Sequence, residues 1–402
     1  MGVYERLGVR PIINVAGTNT RLGGALMEQE TIDAMAEAAR QPVRLEELQA
    51  AASNIIAKIT GAEAGYVTSG ASAALTLGTA ACLTGLDVAR MNRLPDTTGM
   101  PNEVLMAQHQ VSGYDHAISA AGAKIVGVGI PNDTSPPTEV HITKAWEFES
   151  AITENTVAIA YAPRPGSHPP LEEVSDMGKR HHIPVLVDAA AQVPPVENLR
   201  QFIAMGADLV AYSGGKGIRG PQASGILCGR RDLIAAVALQ NLDVAGFSFD
   251  TWNPPPSLIP KEKLRGIPHH GIGRGMKVTK EAIVGLLTAL KLFTEEKSSR
   301  DLKQHRLLLE QIARPLQGVP GVEVEWTDYI PGGEPLLVLK LDKLKLGRSA
   351  SEVSQRLQGG DPPIYVRESY VHRGILIINP VSLNEERAKI VEQRLYMEVT
   401  RK

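Results

Sequence analysis

The chain is poor in residues on which several protein classes depend. Its 402 residues include only two cysteines, Cys82 and Cys228, too few for a disulfide framework or a structural zinc site. Aromatic residues make up 4%, which leaves few stacking platforms for single-stranded nucleic acid. No apolar run approaches membrane-spanning length, and the first residues show no signal-peptide pattern. We therefore expect a cytoplasmic protein with reduced thiols and no membrane partner.

An excess of either charge is also missing. Lys and Arg number 42 against 44 Asp and Glu, a formal charge of −2, which argues against binding along a nucleic-acid backbone. The composition, 43% hydrophobic and 21% charged, is typical of a globular protein. A chain of this length can bury a large core in two or three domains. These values are typical of a soluble protein of the size of an enzyme.

Short apolar runs alternate with amphipathic stretches through the first part of the chain. This alternation predicts an α/β fold with a mostly parallel, doubly wound sheet. A Pro- and Gly-rich segment at 243–275 is predicted to be a loop, followed by a long helix at 277–296 and a small α+β domain. The strands predicted for the sheet are Gly65–Thr68, Glu103–Met106, Lys124–Val128, Val157–Tyr161, Ile183–Val187, Asp208–Tyr212 and Ser224–Cys228.

Chemically useful residues follow three of these strands, and ligands bind beyond the carboxyl ends of parallel strands. The first group is the run Thr68–Ser72 (TSGAS), which opens an Ala-rich helix whose free N–H groups would attract an anion. The second is Asp188 and the third is Lys216, which lies among glycines. Taken singly, the first is equally explained as a plain capped helix start, and the second is better explained as a turn cap.

Together the three features match the requirements of pyridoxal 5′-phosphate. An anion cup would hold the phosphate, an aspartate would pair with the pyridinium nitrogen, and a lysine would form the Schiff base. Lys216 does not belong to a nucleotide-binding P-loop, because glycine rather than Ser or Thr follows it. The adjacent histidine pairs at 181–182 and 269–270 do not suit a single metal ion, so no metal site is predicted.

Four phrases make the chain resemble the selenocysteine-synthase-like family of fold-type-I pyridoxal phosphate enzymes: RPIINVAGTNTRLGG, GAEAGYVTSGASAAL, HHIPVLVD and AYSGGKGIRGPQASGILCGR. The stretch around Lys216 is the most specific of them. The resemblance implies that Lys216 is the Schiff-base lysine and Asp188 the pyridinium partner. It further implies a set of phosphate ligands, namely Ser69, Gly70, Ala71, Ser213 and, toward a neighbouring subunit's cofactor, Arg274.

Other roles are open to more than one residue. His109 follows a strand where this fold places a ring that stacks on the cofactor, although Tyr114 or His116 could serve instead. Three arginines, Arg164, Arg21 and Arg367, are candidates for binding a substrate carboxylate, and each is equally explained as an exposed arginine. The expected organisation is an amino-terminal segment at 1–30 near the active-site mouth, a cofactor-binding domain at 31–275, and a connecting helix with a small domain at 276–402.

The resemblance also suggests the reaction. It implies an ammonia-lyase or dehydratase that forms an external aldimine with a β-hydroxy or sugar amino acid, such as D-glucosaminate 6-phosphate, and releases a 2-keto acid and ammonia. Racemisation, aldol cleavage and transamination remain open, as do selenium transfer to seryl-tRNA and cofactor binding without catalysis. The near-neutral charge argues against the tRNA reaction. Fold-type-I sites usually form between subunits, so at least a homodimer is expected.

Overall fold

A computed structural model describes residues 2–131, 142–246 and 248–401. These residues form two compact units. The larger unit runs from Met27 to Lys291, and the smaller combines the described residues up to Leu26 with those from Leu292 onward. No helix in the described ranges is long and apolar enough to cross a lipid bilayer.

The larger unit is built on a seven-stranded sheet with the order β2-β8-β7-β6-β5-β3-β4. The four pairings from β7 across to β4 are parallel, whereas β8 runs antiparallel to both β7 and β2. All seven predicted strands are present, with ends that differ by at most two residues. Their bounds are β2 Ala64–Thr68, β3 Glu103–Ala107, β4 Lys124–Val128, β5 Thr156–Tyr161, β6 Val185–Asp188, β7 Leu209–Ser213 and β8 Gly225–Gly229.

Helices connect the successive strands from β2 to β7, as the predicted α/β class requires, and a loop without a helix connects β7 to β8. The central helix, Ala71–Thr84, is apolar on all sides, and it is buried in one cluster with Leu186 of β6, Leu209 of β7 and the helix Arg231–Gln240. The helices of this unit are α2 Gln29–Ala38, α3 Leu45–Thr60, α4 Ala71–Thr84, α5 Val88–Met91, α6 His116–Ala120, α7 Ala145–Ala151, α8 Leu171–His181, α9 Asn198–Ala204, α10 Arg231–Gln240 and α11 Lys280–Leu292, whose last residue begins the smaller unit.

Both boundaries of the helix predicted at 277–296 are wrong, because the α-helix ends at Leu292 and continues as a π-helical turn at Phe293–Lys297. The helix expected from Lys277 begins at Lys280, because the Thr279 side chain accepts a hydrogen bond from the Ala282 N–H at 3.2 Å and so marks the start. The loop expected at 243–275 contains only short 3₁₀ turns among its described residues; Phe247 lies outside them.

The smaller unit contains two small sheets. A three-stranded antiparallel sheet has the order β12-β10-β9, and a two-stranded parallel sheet joins β1 to β11. The short strand β1 (Ile13–Val15) was not predicted from the sequence. The remaining strands are β9 Val322–Asp328, β10 Pro335–Leu341, β11 Ile364–Val366 and β12 Ile375–Ile378, and the helices are α1 Val3–Arg6, α12 Ser298–Ala313, α13 Lys343–Leu346, α14 Ala350–Gln358 and α15 Glu385–Thr400.

Candidate active site

Asp188 and Lys216 come from adjacent parallel strands of the large sheet. Asp188 is the last residue of β6 and lies in register with Ala211 of β7, while Lys216 follows the end of β7. The carboxyl ends of parallel strands meet at one edge of the sheet. The two charges are close enough that each shifts the pKa of the other.

The Asp188 carboxyl group is largely shielded from water. Burial raises its pKa above the ordinary value, an effect opposed by a hydrogen bond from the Ala190 N–H (3.1 Å) and by the charges of Lys216 and Arg164. A carboxylate that is poorly hydrated gains more from a directly bound cation than an exposed one does. Asp188 is therefore suited to pair with a protonated ring nitrogen.

Lys216 lies in a tight loop that folds back on itself. The Arg219 N–H donates to the Lys216 carbonyl at 2.9 Å, and the Gly220 N–H donates to the Gly214 carbonyl at 2.8 Å. Burial lowers the pKa of the Lys216 amine, and the Asp188 carboxylate opposes this effect. A larger share of the amine is consequently neutral near pH 7 than for an exposed lysine. Only the neutral amine can act as a nucleophile or a base.

The start of α4 has the backbone features that an anion cup requires. Gly70 precedes the helix with a φ of +115°, a conformation that favours glycine, and no side chain caps or places a negative charge on the first turn. Gly225 of β8 lies close to the start of α4, since a Cβ at this position would lie 2.6 Å from the Gly70 carbonyl carbon and 2.8 Å from the Ala71 nitrogen. The first-turn N–H groups have no partners within the helix. They are therefore available to bind a phosphate.

The two serines proposed as phosphate ligands differ in their surroundings. The Ser69 hydroxyl donates to the Met276 carbonyl at 3.0 Å, so it would have to exchange this bond in order to donate to a phosphate. Ser213 ends β7 opposite Gly225, which brings it to the same part of the sheet as the cup.

His109 and Arg164 lie at the ends of β3 and β5. His109 belongs to a 3₁₀ turn directly after β3, and both of its ring nitrogens are buried. Arg164 is exposed, but its Nη1 donates to the His109 carbonyl at 3.3 Å and its charge lowers the pKa of Asp188. The structure thus brings Asp188, Lys216, Arg164 and His109 to one edge of the large sheet. The alternative ring Tyr114 is 69% exposed.

The remaining predicted residues have other partners. Arg274 forms an ion pair with Asp243 at 2.9 Å in the larger unit. Arg21 and Arg367 belong to the smaller unit, where their guanidinium carbons lie 5.8 Å and 5.4 Å from the ring centres of Tyr365 and Tyr329, respectively.

Sequence reasoning missed two glutamines at this edge. Gln110 accepts a hydrogen bond from the Ala162 N–H and Gln192 donates one to the Pro163 carbonyl, both at 2.9 Å. In the sequence, each glutamine could have been noticed as an amide side chain shortly after an apolar strand, in the segments MAQHQ and VDAAAQ. That signal is weak without the contacts, because glutamine is common on protein surfaces.

The residues present fit pyridoxal 5′-phosphate. The uncapped helix start with a close glycine approach suits a phosphate, the shielded Asp188 suits a ring cation, and the half-buried Lys216 suits a Schiff base. These three features belong to one compact unit.

Comparisons with known proteins are consistent with this fit. Residues 45–213 match the DegT/DnrJ/EryC1/StrS aminotransferase family. The chain is 32% identical to a Streptomyces 5′-C-glycyluridine monooxygenase-decarboxylase and 30% identical to D-glucosaminate-6-phosphate ammonia lyase of Salmonella typhimurium. Each match covers 98% of this chain, and they span 90% and 96% of those proteins. A solved structure of a D-glucosaminate-6-phosphate ammonia-lyase superposes with a TM-score of 0.79 at 29% identity, over 99% of this chain and 98% of that one.

Proposed function

Because the chain belongs to the selenocysteine-synthase-like family of fold-type-I pyridoxal phosphate enzymes, we propose that it is an ammonia-lyase acting on a sugar-derived or β-hydroxy amino acid. The observation that carries the proposal is the half-buried Lys216 with a lowered pKa, near Asp188 at the carboxyl edge of the sheet. The choice of reaction is supported by the likeness to the ammonia lyase along nearly the whole length of both chains.

In this proposal each residue has a defined task. Bound pyridoxal 5′-phosphate supplies an electron sink that makes the α-proton of an amino acid acidic. The first turn of α4, with Ser69 and Ser213, would hold the phosphate, and Asp188 would keep the ring nitrogen protonated. The Lys216 Nζ would accept the α-proton, for which its lowered pKa is suited. The Arg164 guanidinium would bind the substrate carboxylate.

We assign further roles to residues for which fewer contacts support a function. His109 would contact the cofactor ring, and Arg21 and Arg367 would help to bind an anionic substrate. We also propose a cytoplasmic homo-oligomer in which Arg274 exchanges its partner Asp243 for a neighbouring subunit's cofactor phosphate. Light scattering of the purified protein checks the assembly: a dimer or larger oligomer is expected, and a monomer with full activity would contradict shared sites.

The anchoring lysine is tested first. The purified protein should show a visible absorption band that bleaches on borohydride reduction, with the reduced label mapped to Lys216 by mass spectrometry. The Lys216→Ala variant should bind pyridoxal phosphate without forming that covalent label. A wild-type protein that stays colourless with added pyridoxal phosphate would contradict the proposed cofactor site.

The reaction is tested with D-glucosaminate 6-phosphate and, as a simple β-hydroxy amino acid, D-serine. An ammonia-lyase releases ammonia and a keto acid in equal amounts without oxygen, because the water lost with the hydroxyl is regained on hydrolysis. Isotope exchange at the α-carbon without keto acid would instead indicate a racemase or epimerase.

The likeness to the monooxygenase-decarboxylase supports a second candidate, an oxidative decarboxylation. This reaction would consume oxygen and release carbon dioxide. Running the assay in an oxygen electrode and again under nitrogen distinguishes the two: turnover that survives nitrogen supports the lyase, and turnover that requires oxygen overturns it.

A further inference from the structure

Two glutamine side chains, the buried Gln110 and the half-buried Gln192, bind the backbone of the loop that carries Arg164. Immediately before the arginine, the Ala162 N–H donates to Gln110 Oε1 and the Pro163 carbonyl accepts from Gln192 Nε2, each at 2.9 Å. The arginine itself starts a turn, in which its N–H donates to the Ser167 hydroxyl at 2.8 Å and its carbonyl accepts from the Ser167 N–H at 2.9 Å.

The two glutamines are themselves anchored to the sheet. Gln110 is completely buried directly after β3. The Gln192 carbonyl accepts from Asn198 Nδ2 at 2.6 Å, and the Asn198 carbonyl accepts from the Tyr212 hydroxyl at 2.8 Å. Tyr212 is a fully buried residue of β7. Hydrogen bonds thus connect the strand that leads to Lys216 with the loop that carries Arg164.

The guanidinium end of Arg164 is held as well. Its Nη1 donates to the carbonyl of His109, which neighbours Gln110 in the chain. An exposed arginine without such contacts samples many rotamers, and fixing it at the moment of binding costs conformational entropy. Here the backbone and the side chain are both held before a ligand arrives, and the charge acts on Asp188. The arrangement is that of a preorganised anion-binding group.

We propose that Gln110 and Gln192 are positioning residues that hold Arg164 for the carboxylate of the substrate. This inference rests on the proposed function, because it takes Arg164 as the carboxylate ligand. It extends that function by assigning the specificity for a carboxylate to two amides that lie outside the recognised motif around Lys216.

Gln192→Met is the main test variant, since methionine has a similar shape but cannot donate a hydrogen bond. Gln110→Met removes the acceptor for the Ala162 N–H and serves as a second, independent variant. Gln201→Met is the matched control: Gln201 is an exposed residue of α9, and none of the contacts described above involves its side chain.

The first measurement reports on the position of Arg164 and not on activity. The holoenzyme is treated with phenylglyoxal, which modifies arginines, and the rate at Arg164 is followed by peptide mass spectrometry. Loss of one neutral hydrogen bond should raise this rate about fivefold in Gln192→Met and in Gln110→Met. The Gln201→Met rate should equal that of the wild type. Unchanged rates in both test variants would overturn the proposal.

The second measurement compares D-serine with ethanolamine, which lacks the carboxylate, by their shift of the visible absorption band. Weakened positioning should reduce the affinity for D-serine about fivefold and leave that for ethanolamine unchanged. A general structural defect would weaken both ligands equally and would contradict the proposed specificity role. If the phenylglyoxal rates rise but Arg164→Ala binds D-serine normally, the positioning of Arg164 is supported and its assignment as carboxylate ligand in the proposed function fails.

Discussion

Two lysine–carboxylate pairs lie in opposite surroundings. At the edge of the large sheet, Lys216 and Asp188 are shielded from water, whereas on the small antiparallel sheet Lys340 and Glu325 are 40% and 43% exposed. Burial lowers the pKa of Lys216 and raises that of Asp188. A hydrogen bond between the exposed partners raises the pKa of Lys340 and lowers that of Glu325.

The difference shows which physical effect dominates in each place. Partial loss of hydration favours the neutral forms of Asp188 and Lys216, while Lys340 and Glu325 keep more of their hydration and gain a charge-assisted hydrogen bond. At a given pH, a lysine whose charged form is disfavoured has a larger neutral fraction than one whose charged form is stabilised. Perturbation of this kind is typical of functional sites, and exposed ion pairs rarely carry function or much stability.

The largest expected effect comes from removing the half-buried Lys216 amine. Lys216→Ala should reduce turnover by about 10²- to 10⁴-fold, the usual contribution of a positioned base, and by more where the covalent link is also required. Lys340→Ala, the same substitution in the exposed pair, should leave turnover unchanged. Steady-state release of ammonia measures both. If the two variants lost turnover to a similar extent, the difference in burial between Lys216 and Lys340 would not explain catalysis.

Neutralising the carboxylate should have the next largest effect. Asp188→Asn removes an opposite charge that favours a protonated ring nitrogen by about one to three pKa units, so turnover should fall about 10- to 1000-fold. Glu325→Gln is the control and should leave turnover unchanged. The pH dependence of the visible absorption band provides a second readout, which should shift in Asp188→Asn alone.

Adding a methyl group at Gly225, which packs against the start of α4, should have a smaller effect. Gly225→Ala places a Cβ 2.6 Å from the backbone of Gly70, and overpacking of this kind costs about 1–3 kcal/mol. Thermal unfolding should show a lower midpoint, and dialysis should show faster loss of cofactor. Gly266→Ala should change neither property, because no described atom beyond the glycine and its two chain neighbours lies within 4 Å of the added Cβ. Retention of cofactor by both variants would argue against a phosphate at this position.

The smallest effect concerns the pH dependence of stability in the cofactor-free protein. The folded-state pKa of Lys216 lies below its ordinary value of 10.5, so between these two values the unfolded chain binds more protons and wild-type stability rises with pH. Lys216→Met should therefore be more stable than the wild type near neutral pH, and this gain should shrink as the pH approaches the ordinary value.

Lys340 should show the opposite dependence. Its folded-state pKa is raised, so its contribution to stability is present below the ordinary pKa and is lost as the pH rises through the raised value. Lys340→Met should give no gain near neutral pH. Urea unfolding at several pH values compares the two variants, and equal pH dependences would contradict the assignment of desolvation as the main effect at Lys216.

Much of the larger unit could be predicted from local sequence. Each of its seven strands is an apolar run bounded by polar or turn-forming residues, and such runs carry their signal within a few neighbouring positions. The motif around Lys216 and the aspartate that ends HHIPVLVD likewise stand out without any structure. The short strand β1 does not, because its three residues become a strand only by pairing with β11, some 350 positions later.

The sequence by itself therefore determined the α/β class and the cofactor, and it singled out Asp188 and Lys216 as candidates for the site. Only the tertiary structure decided their surroundings: the pairing of Gln110 and Gln192 with the Arg164 loop, the bond from Ser69 to Met276, and the approach of Gly225 to the start of α4. The physical reason is that composition and periodicity report which residues favour burial or a turn. Hydrogen-bond partners and desolvation depend on distances between segments that are far apart in the chain.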